Sequence, residues 1–507
     1  MKKNFFSLEI LCIILSVGII LTGCSKSDNQ PEKQMPTLKA ASSYVTESKS
    51  GYTNYYYYND RITSGTYDLY NDRDGSASSL PATTGPLFGL DGFVNGGDPT
   101  LSGNYYYAIG LLAWNPNVGS NSTSSVTNHA TIKGILSGTG NGIGYGIFSY
   151  QFNGSKSGTN ITITNSGTCD GEVLNHEGTA AGLYHYASNG GIKVTNNSGA
   201  TMSATARYYA TGTTCNNYYG GATFVNNGTA KATASGSQSG SASGQAYATG
   251  IDVFTYDASS TAAAPISFQN TGNVTGTTTG GTHQKAYGVF VWAQGGSLTW
   301  KNSGTITSSS TSASDARCEA VYCGANFGTS SITNTGTIKG TAGGAGGWGM
   351  GVENDEGYNI TVTNSGSITH NNGYGLAAFT GTGKITITNS GTITGGLGGI
   401  ATQTWKGIVT VNISAGTVSG NNALVLGPGN DIVNVTGLPT ITGSMDGNGG
   451  TNTLNFTLSG TLQKVNGATA TKGNQLSAYG LGTSGNITVS GKTYTWKNFN
   501  VKGNTTN

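Results

Sequence analysis

From Ile385 to Gly395 the chain reads Ile-Thr-Ile-Thr-Asn-Ser-Gly-Thr-Ile-Thr-Gly, apolar and polar residues alternating on either side of an Asn-Ser-Gly step. Aligned on that Asn, the unit recurs at Asn128, Asn165, Asn196, Asn226, Asn270, Asn302, Asn334, Asn364 and Asn389. Two residues before each anchor stand Val126, Ile163, Val194, Phe224, Phe268, Trp300, Ile332, Val362 and Ile387. Four residues after it stand Ile132, Cys169, Ala200, Ala230, Val274, Ile306, Ile338, Ile368 and Ile393. Both columns are wholly apolar. Two residues after the anchor the column is Gly in seven of nine copies, with Ala130 and Ser198 the departures. Strict alternation means two short half-buried strands meeting at a corner, where Asn and Gly tolerate the left-handed backbone of a sharp bend.

A third apolar segment follows each pair, as in Gly144-Tyr-Gly-Ile147, Tyr287-Gly-Val289 and Tyr374-Gly-Leu376. Three strands per repeat, recurring every 23 to 44 residues, predict an all-β, right-handed parallel β-helix with three strands per rung and a cap at each end. Like residues then stack in columns at about 4.8 Å per rung, and about eleven rungs give a rod of roughly 50 Å. Corner Asn side chains can bond along the axis, and Thr suits the outward pleated surface. The expected divisions are a leader over 1–23, a modified Cys24 and tether over 24–40, and a Tyr-rich N-terminal cap over 41–103. The coil spans 104–456 and a C-terminal cap 457–507.

Composition changes the picture at two points. Gly is 83 of 507 residues and charged residues are 9%, a balance that ordinarily means disorder; the regular apolar columns override it. A net charge of +2 without a Lys/Arg cluster gives no argument for a nucleic-acid partner, and none is expected.

Lys2 and Lys3 precede an apolar run from Ile10 to Leu21, too short for a membrane span, that ends in Leu21-Thr-Gly-Cys24. This resembles a bacterial lipoprotein signal, with Leu21 to Cys24 matching the lipobox. The resemblance implies cleavage before Cys24 and lipid attachment to it, several acyl chains sufficing for stable anchoring. Pro31 and Pro36 lie in a charged segment that reads as a tether. By the same resemblance, Ser25 rather than Asp after the Cys implies the outer membrane; display at the cell surface is the expectation.

Gly427-Pro-Gly-Asn-Asp-Ile-Val433, Thr440 to Phe456 and Ser490 to Phe499, with the Asn-Ser-Gly-Thr rungs, resemble the passenger domains of bacterial autotransporters over about 104 to 500. Such a passenger continues into a membrane β-barrel, whereas this chain ends at Asn507; the lipid on Cys24 is expected to replace that anchor. The resemblance implies adhesion, and the Tyr-rich segment, with Tyr55 to Tyr58 consecutive, is either a cover for the first rung or an aromatic platform for sugars.

Candidate chemistry is sparse. Glu353, Asp355 and Glu356 form the densest acidic group and, with Asp315 and Glu319, could line a polysaccharide lyase or hydrolase groove if they converge beside a Lys or Arg. The stretches around Asp431 and Asp446 partly match a calcium-binding glycine/aspartate repeat, yet Asn452 stands where the second copy needs Asp. Cys12 leaves with the leader. Cys169 sits in a core column; Cys215 belongs to no evident disulfide framework, and Cys318 and Cys323 lie too far apart along a strand to bond. The five His show no metal spacing and read as surface residues. No cofactor or metal is expected. The reading is therefore a non-enzymatic, envelope-anchored adhesin-like lipoprotein with a glycan or protein ligand. A β-helical polysaccharide enzyme and a structural spacer or coat protein are the alternatives.

Overall fold

A computed structural model describes strand segments between Tyr44 and Ala77 and, with brief interruptions, residues 105–506. The chain coils as a parallel β-helix with three strands in each rung. A representative rung has a first strand Asn160–Asn165, a second Thr168–Val173 and a third Gly178–Ala187. Each pairs in parallel with its counterpart one rung away: Asn165 with Asn128 and Asn196, Cys169 with Ile132 and Met202, Leu183 with Ile147 and Thr213. First strands stack into one 14-stranded sheet.

The anchor Asn side chains turn inward at the corner and form one continuous ladder. Each Nδ2 donates to the Oδ1 of the next rung, from Asn128 through Asn165, Asn196, Asn226, Asn270, Asn302, Asn334 and Asn364 to Asn389, at 2.7–2.9 Å. All nine are at most 2% exposed, so the ladder satisfies amides that burial would otherwise penalise. It ends where Ile413 pairs with Asn389.

The glycine two residues on is required for a different reason from the expected left-handed bend. Gly167, Gly272, Gly304, Gly336, Gly366 and Gly391 do not have positive φ; a Cβ added at any of them would lie 2.0–2.2 Å from a carbonyl oxygen of the preceding rung. Close backbone approach, not handedness, selects Gly here. Positive φ occurs at the atypical corners instead, at Gly199 (81°) and Gly416 (69°).

Inside, the first-strand column is closed by Ile163, Phe224, Phe268, Trp300 and Ile387, none more than 1% exposed, with the rings of Phe224, Phe268 and Trp300 stacked 5.9 and 5.7 Å apart. One member of the second-strand column differs from expectation. Met202, not Ala200, pairs with Cys169 and Ala230, because the corner after Asn196 is two residues longer and Ala200 takes the glycine position, its carbonyl accepting from Thr229 N–H.

The third strand crosses over the second, made possible by small residues at the crossing: a Cβ on Gly250 or Gly288 would meet Val274 or Ile306 side chains at 2.5 and 2.6 Å. Before the crossing, Ala180, Ala210, Ala246 and Ala248 pack on Ala204, Ala206, Ala232 and Ala234 as a second, small core. After it, Val289 and Val291 enter the main core. Residues alternating with these face outward.

Ladder pairing runs beyond both expected ends. Thr66–Leu69 pairs with Thr123–Asn128 and Arg73–Ala77 with Thr131–Leu136, while Tyr44–Lys49 and Tyr52–Tyr57 form an antiparallel pair. These early strands lack the Asn-x-Gly anchor, so the repeat does not reveal them. At the other end Asn500–Thr506 adds to Thr453–Ser459, and Gly485–Val489 with Lys492–Lys497 makes an antiparallel hairpin. Tyr494, Trp496 and Phe499 from this segment are at most 1% exposed and close the core; Phe456 touches the rings of Tyr494 and Trp496 at 5.7 and 6.0 Å.

Candidate ligand-binding face

The outer side of the third strands carries the concentration of chemistry. Gln245–Tyr256, His283–Ala293, Asp315–Ala325, Gly347–Asn354 and Tyr374–Thr380 stack in register. Their pairing places Tyr287, Glu319, Trp348 and Tyr374 in one column. Asp252, Phe290 and Tyr322 stand in a second, and Glu353 and Phe379 in a third. Tyr287 and Phe290, on opposite sides of Gly288, meet edge to face at 5.7 Å, so residues flanking the crossing project to the same side.

Rings follow one another along the axis. Phe290 stacks on Tyr322 at 5.5 Å, Tyr322 on Trp348 at 6.2 Å, and Trp348 contacts Phe379 at 5.6 Å. Trp292 stacks on Tyr322 at 5.6 Å from the flank. Nearer the N-terminus Tyr145 and Tyr184 stack at 5.0 Å with Phe148 beside them. Phe290, Trp348, Tyr374 and Phe379 remain half-buried; Trp292 and Tyr322 are buried.

Charged groups are set among these rings. Arg317 forms an ion pair with Glu319 and lies over the Trp348 ring at 5.4 Å, a cation–π contact. Tyr322 donates to Glu353 Oε2 at 2.6 Å. Burial raises the Glu319 carboxyl, with the Arg317 charge opposing. Burial likewise raises Glu353, with the Tyr322 hydrogen bond opposing and Asp355 adding to the rise. Burial works against the Arg317 charge, but Glu319 outweighs it and holds the guanidinium firmly protonated. Burial raises Asp252 to about 7, against a hydrogen bond from Tyr209. Because each of these carboxyls is raised above its unfolded value, its contribution to stability is complete at acid pH and is lost as pH rises through the folded value. For Asp252 that window runs from about pH 4 to about 7. Thermal melts should therefore show the protein more stable at pH 5 than at pH 7, and Asp252→Asn should remove about 1–2 kcal/mol of the difference after discounting for partial exposure. A melt independent of the substitution at both pH values would contradict the burial argument.

Of the acidic residues singled out in the sequence, the fold brings Glu319 and Glu353 to this face, from adjacent rungs and beside Arg317 and Lys285. Asp355 is exposed just past the strand end. Asp315 begins a third strand opposite His283, but its side chain, like the whole of Glu356, lies outside the described residues, as does Cys24. Asp431 Oδ1 accepts from Val409 N–H at 2.9 Å. Asp446 pairs with Lys497 at 2.8 Å and accepts from Asn448 N–H and Asn498 Nδ2, so its carboxylate oxygens are engaged by the protein. Among the described residues no group of three or more His, Cys, Asp or Glu is placed to hold a metal. Cys169, Cys215, Cys318 and Cys323 are buried and free.

Two histidines depart from the surface reading. His185 is fully buried in the coil, its Nδ1 3.0 Å from Ser149 Oγ, and desolvation pushes it down to about 3. His370 is 2% exposed, its Nδ1 accepting from Gly373 N–H and its Nε2 2.9 Å from the Cys318 carbonyl.

Arg317, Tyr322 and Trp348 were not singled out by sequence reasoning. The signal that finds them is the small residue at the crossing: aligning Gly288, Ala320, Gly349 and Gly375 puts Tyr287, Glu319, Trp348 and Tyr374 in one column directly. Compared with protein-family models, with curated proteins and with solved structures, the chain matches none.

Proposed function

We propose that this protein is a lipid-anchored, adhesin-like component of the bacterial cell envelope. It is displayed from the outer membrane and binds glycans or other surfaces through the outer side of its third strands. The observation that carries the binding reading is the row of stacked rings from Phe290 to Phe379, of which Phe290, Trp348 and Phe379 are half-buried, with polar groups held among them. Flat apolar faces bordered by hydrogen-bonding groups suit interfaces with partly polar ligands. Anchoring rests on the lipobox resemblance of Leu21 to Cys24 and the tether after it.

The enzymatic reading draws on one observation, the two raised carboxyls of Glu319 and Glu353 on a common face. Glu319 is fully buried and bound to Arg317, so it is poorly placed to reach a scissile bond, and binding is the stronger reading.

Two measurements test the proposal. Cys24→Ala should move the full-length protein from the membrane to the soluble fraction; retention in membranes would overturn lipid anchoring. Protease treatment of intact cells should cleave the wild-type protein, and the purified protein should bind a panel of glycans and matrix proteins without turnover. Protection on intact cells together with no binding would leave a structural spacer, and glycan cleavage would establish an enzyme.

A further inference from the structure

We propose that the third-strand face is a row of subsites for a neutral, extended glycan lying along the coil axis, with about one sugar ring above each rung. The proposal rests on the binding reading above and names its ligand class and the ligand's direction.

The first argument is spacing. Ring-bearing third strands run without a gap in the ladder from Asn141–Gln151 to Tyr374–Thr380, eight strands in all. At about 4.8 Å per rung their outward residues repeat at a distance close to the rise of one pyranose in an extended chain. A glycan parallel to the axis therefore meets partly exposed rings on successive rungs, at Tyr209, Tyr247, Phe290, Trp348 and Phe379, with buried Tyr322 on the rung between Phe290 and Trp348, whereas one crossing the coil meets a single rung.

The second is the mixture of groups. Phe290, Trp348 and Phe379 offer half-exposed ring surface to the apolar faces of sugars, while Glu353, Arg317 and Asp252 stand beside that surface as hydrogen-bonding groups. The Oε2 of buried Glu319 has no hydrogen-bond partner although its Oε1 is bound by Arg317. The acid thus acts by fixing Arg317 over Trp348, and it is assigned as a positioning residue.

The third is charge. Glu319 and Glu353 are offset by Arg317 and by Lys285, which lies in register with Arg317, and burial pushes the remaining acid, Asp252, up to about 7, toward its neutral form. A face that balances its own charges favours neither a polyanion nor a polycation. Finally, the rings are set by backbone pairing on both sides, so little ordering is needed on binding.

The test uses purified full-length protein in detergent and calorimetric titration with neutral β-linked gluco-, manno- and xylo-oligosaccharides up to about eight sugars, the number that spans the face at about 4.8 Å each. Heparin-derived and chitosan oligomers of equal length serve as charged probes. At least one neutral series should bind with affinity that climbs with each added sugar. Trp348→Ala and Phe290→Ala should each weaken the longest oligomer roughly tenfold, the loss of one ring contact worth about 1.4 kcal/mol. Ile432→Ala, at a 36% exposed Ile on the first strand Ile432–Gly437, should leave it unchanged. Glu319→Gln should lower affinity and, unlike a purely structural change, alter the pH profile of binding. Should Trp348→Ala fail to fold, Phe290→Ala and Tyr374→Ala carry the same test. Absence of binding by every neutral series, affinity independent of length, preference for a charged oligomer, or indifference to both ring substitutions would each overturn the inference. Binding of cells or matrix proteins without neutral-glycan binding would leave the proposed function standing and remove only this inference; binding of nothing would remove both.

Discussion

Ile387→Asp should destroy the rungs around it. Ile387 is fully buried between Val362 above and Val411 below. Truncating a buried Ile costs about 2–5 kcal/mol, and a carboxylate left unpaired among aliphatic side chains adds several more or must be protonated to stay there. The sum approaches the whole stability of an ordinary domain, about 5–15 kcal/mol. In a coil whose rungs touch only their neighbours, the damage should be concentrated locally. The expected result is a lost or strongly lowered thermal transition in circular dichroism, with new protease cuts between about residues 360 and 413. An unchanged melt would contradict the inward column.

Asn302→Leu is expected to have the next largest effect, although it replaces a polar residue in the core by an apolar one of similar size. Asn302 accepts from Asn270 at 2.7 Å, donates to Asn334 at 2.8 Å and also reaches the Gly304 carbonyl at 3.2 Å. Leu strands the Asn334 acceptor and removes the acceptor of Asn270, while the Gly304 carbonyl keeps the Thr337 N–H at 2.9 Å. At about 1–3 kcal/mol for each buried group left unsatisfied, the loss should be about 3–5 kcal/mol. Polarisation along an unbroken chain of amides adds to this. Asn434 provides the comparison. It also stands in an Asn ladder, bonded to Asn412 at 2.8 Å and to Asn455 at 2.9 Å, but on the half-buried outer side of the first strands. Water can replace its partners there, and Asn434→Leu should cost less than about 1 kcal/mol. Chemical denaturation of both variants measures the contrast; equal losses would show that the inner ladder is not special.

The fold was legible because its two clearest columns lie on either side of a fixed corner. Ile387 and Ile393 stand at constant offsets from Asn389, and a period of two leaves one face for the core. Reading failed where an offset changed: two extra residues after Asn196 moved the column from Ala200 to Met202. It also misjudged the reason for the corner glycine, since a sequence shows tolerance for unusual φ but not the carbonyl of a neighbouring rung about 2 Å from a Cβ that Gly lacks. The candidate face was legible only in part. Glu319 and Glu353 are 34 residues apart yet one rung apart in space, because variable segments separate the corner from the third strand and break any constant offset. Arg317, Tyr322 and Trp348 acquire their roles from that cross-rung register, which the crossing glycines encode less plainly than the Asn anchors encode theirs. His185 looked like a surface residue because its partner, Ser149, lies 36 residues earlier.

The ladder also has a mechanical meaning. Its hydrogen bonds, backbone and Asn alike, run from rung to rung, along the length of the rod. A pull along that length loads them in opening, one rung at a time, whereas a sideways push meets many at once in shear. Rungs would peel in sequence from the loaded end, each releasing its own length of chain: 25 residues between Asn364 and Asn389, 44 between Asn226 and Asn270. A rod held at one end and loaded at the other thus yields in steps of unequal length, extending under strain instead of failing all at once.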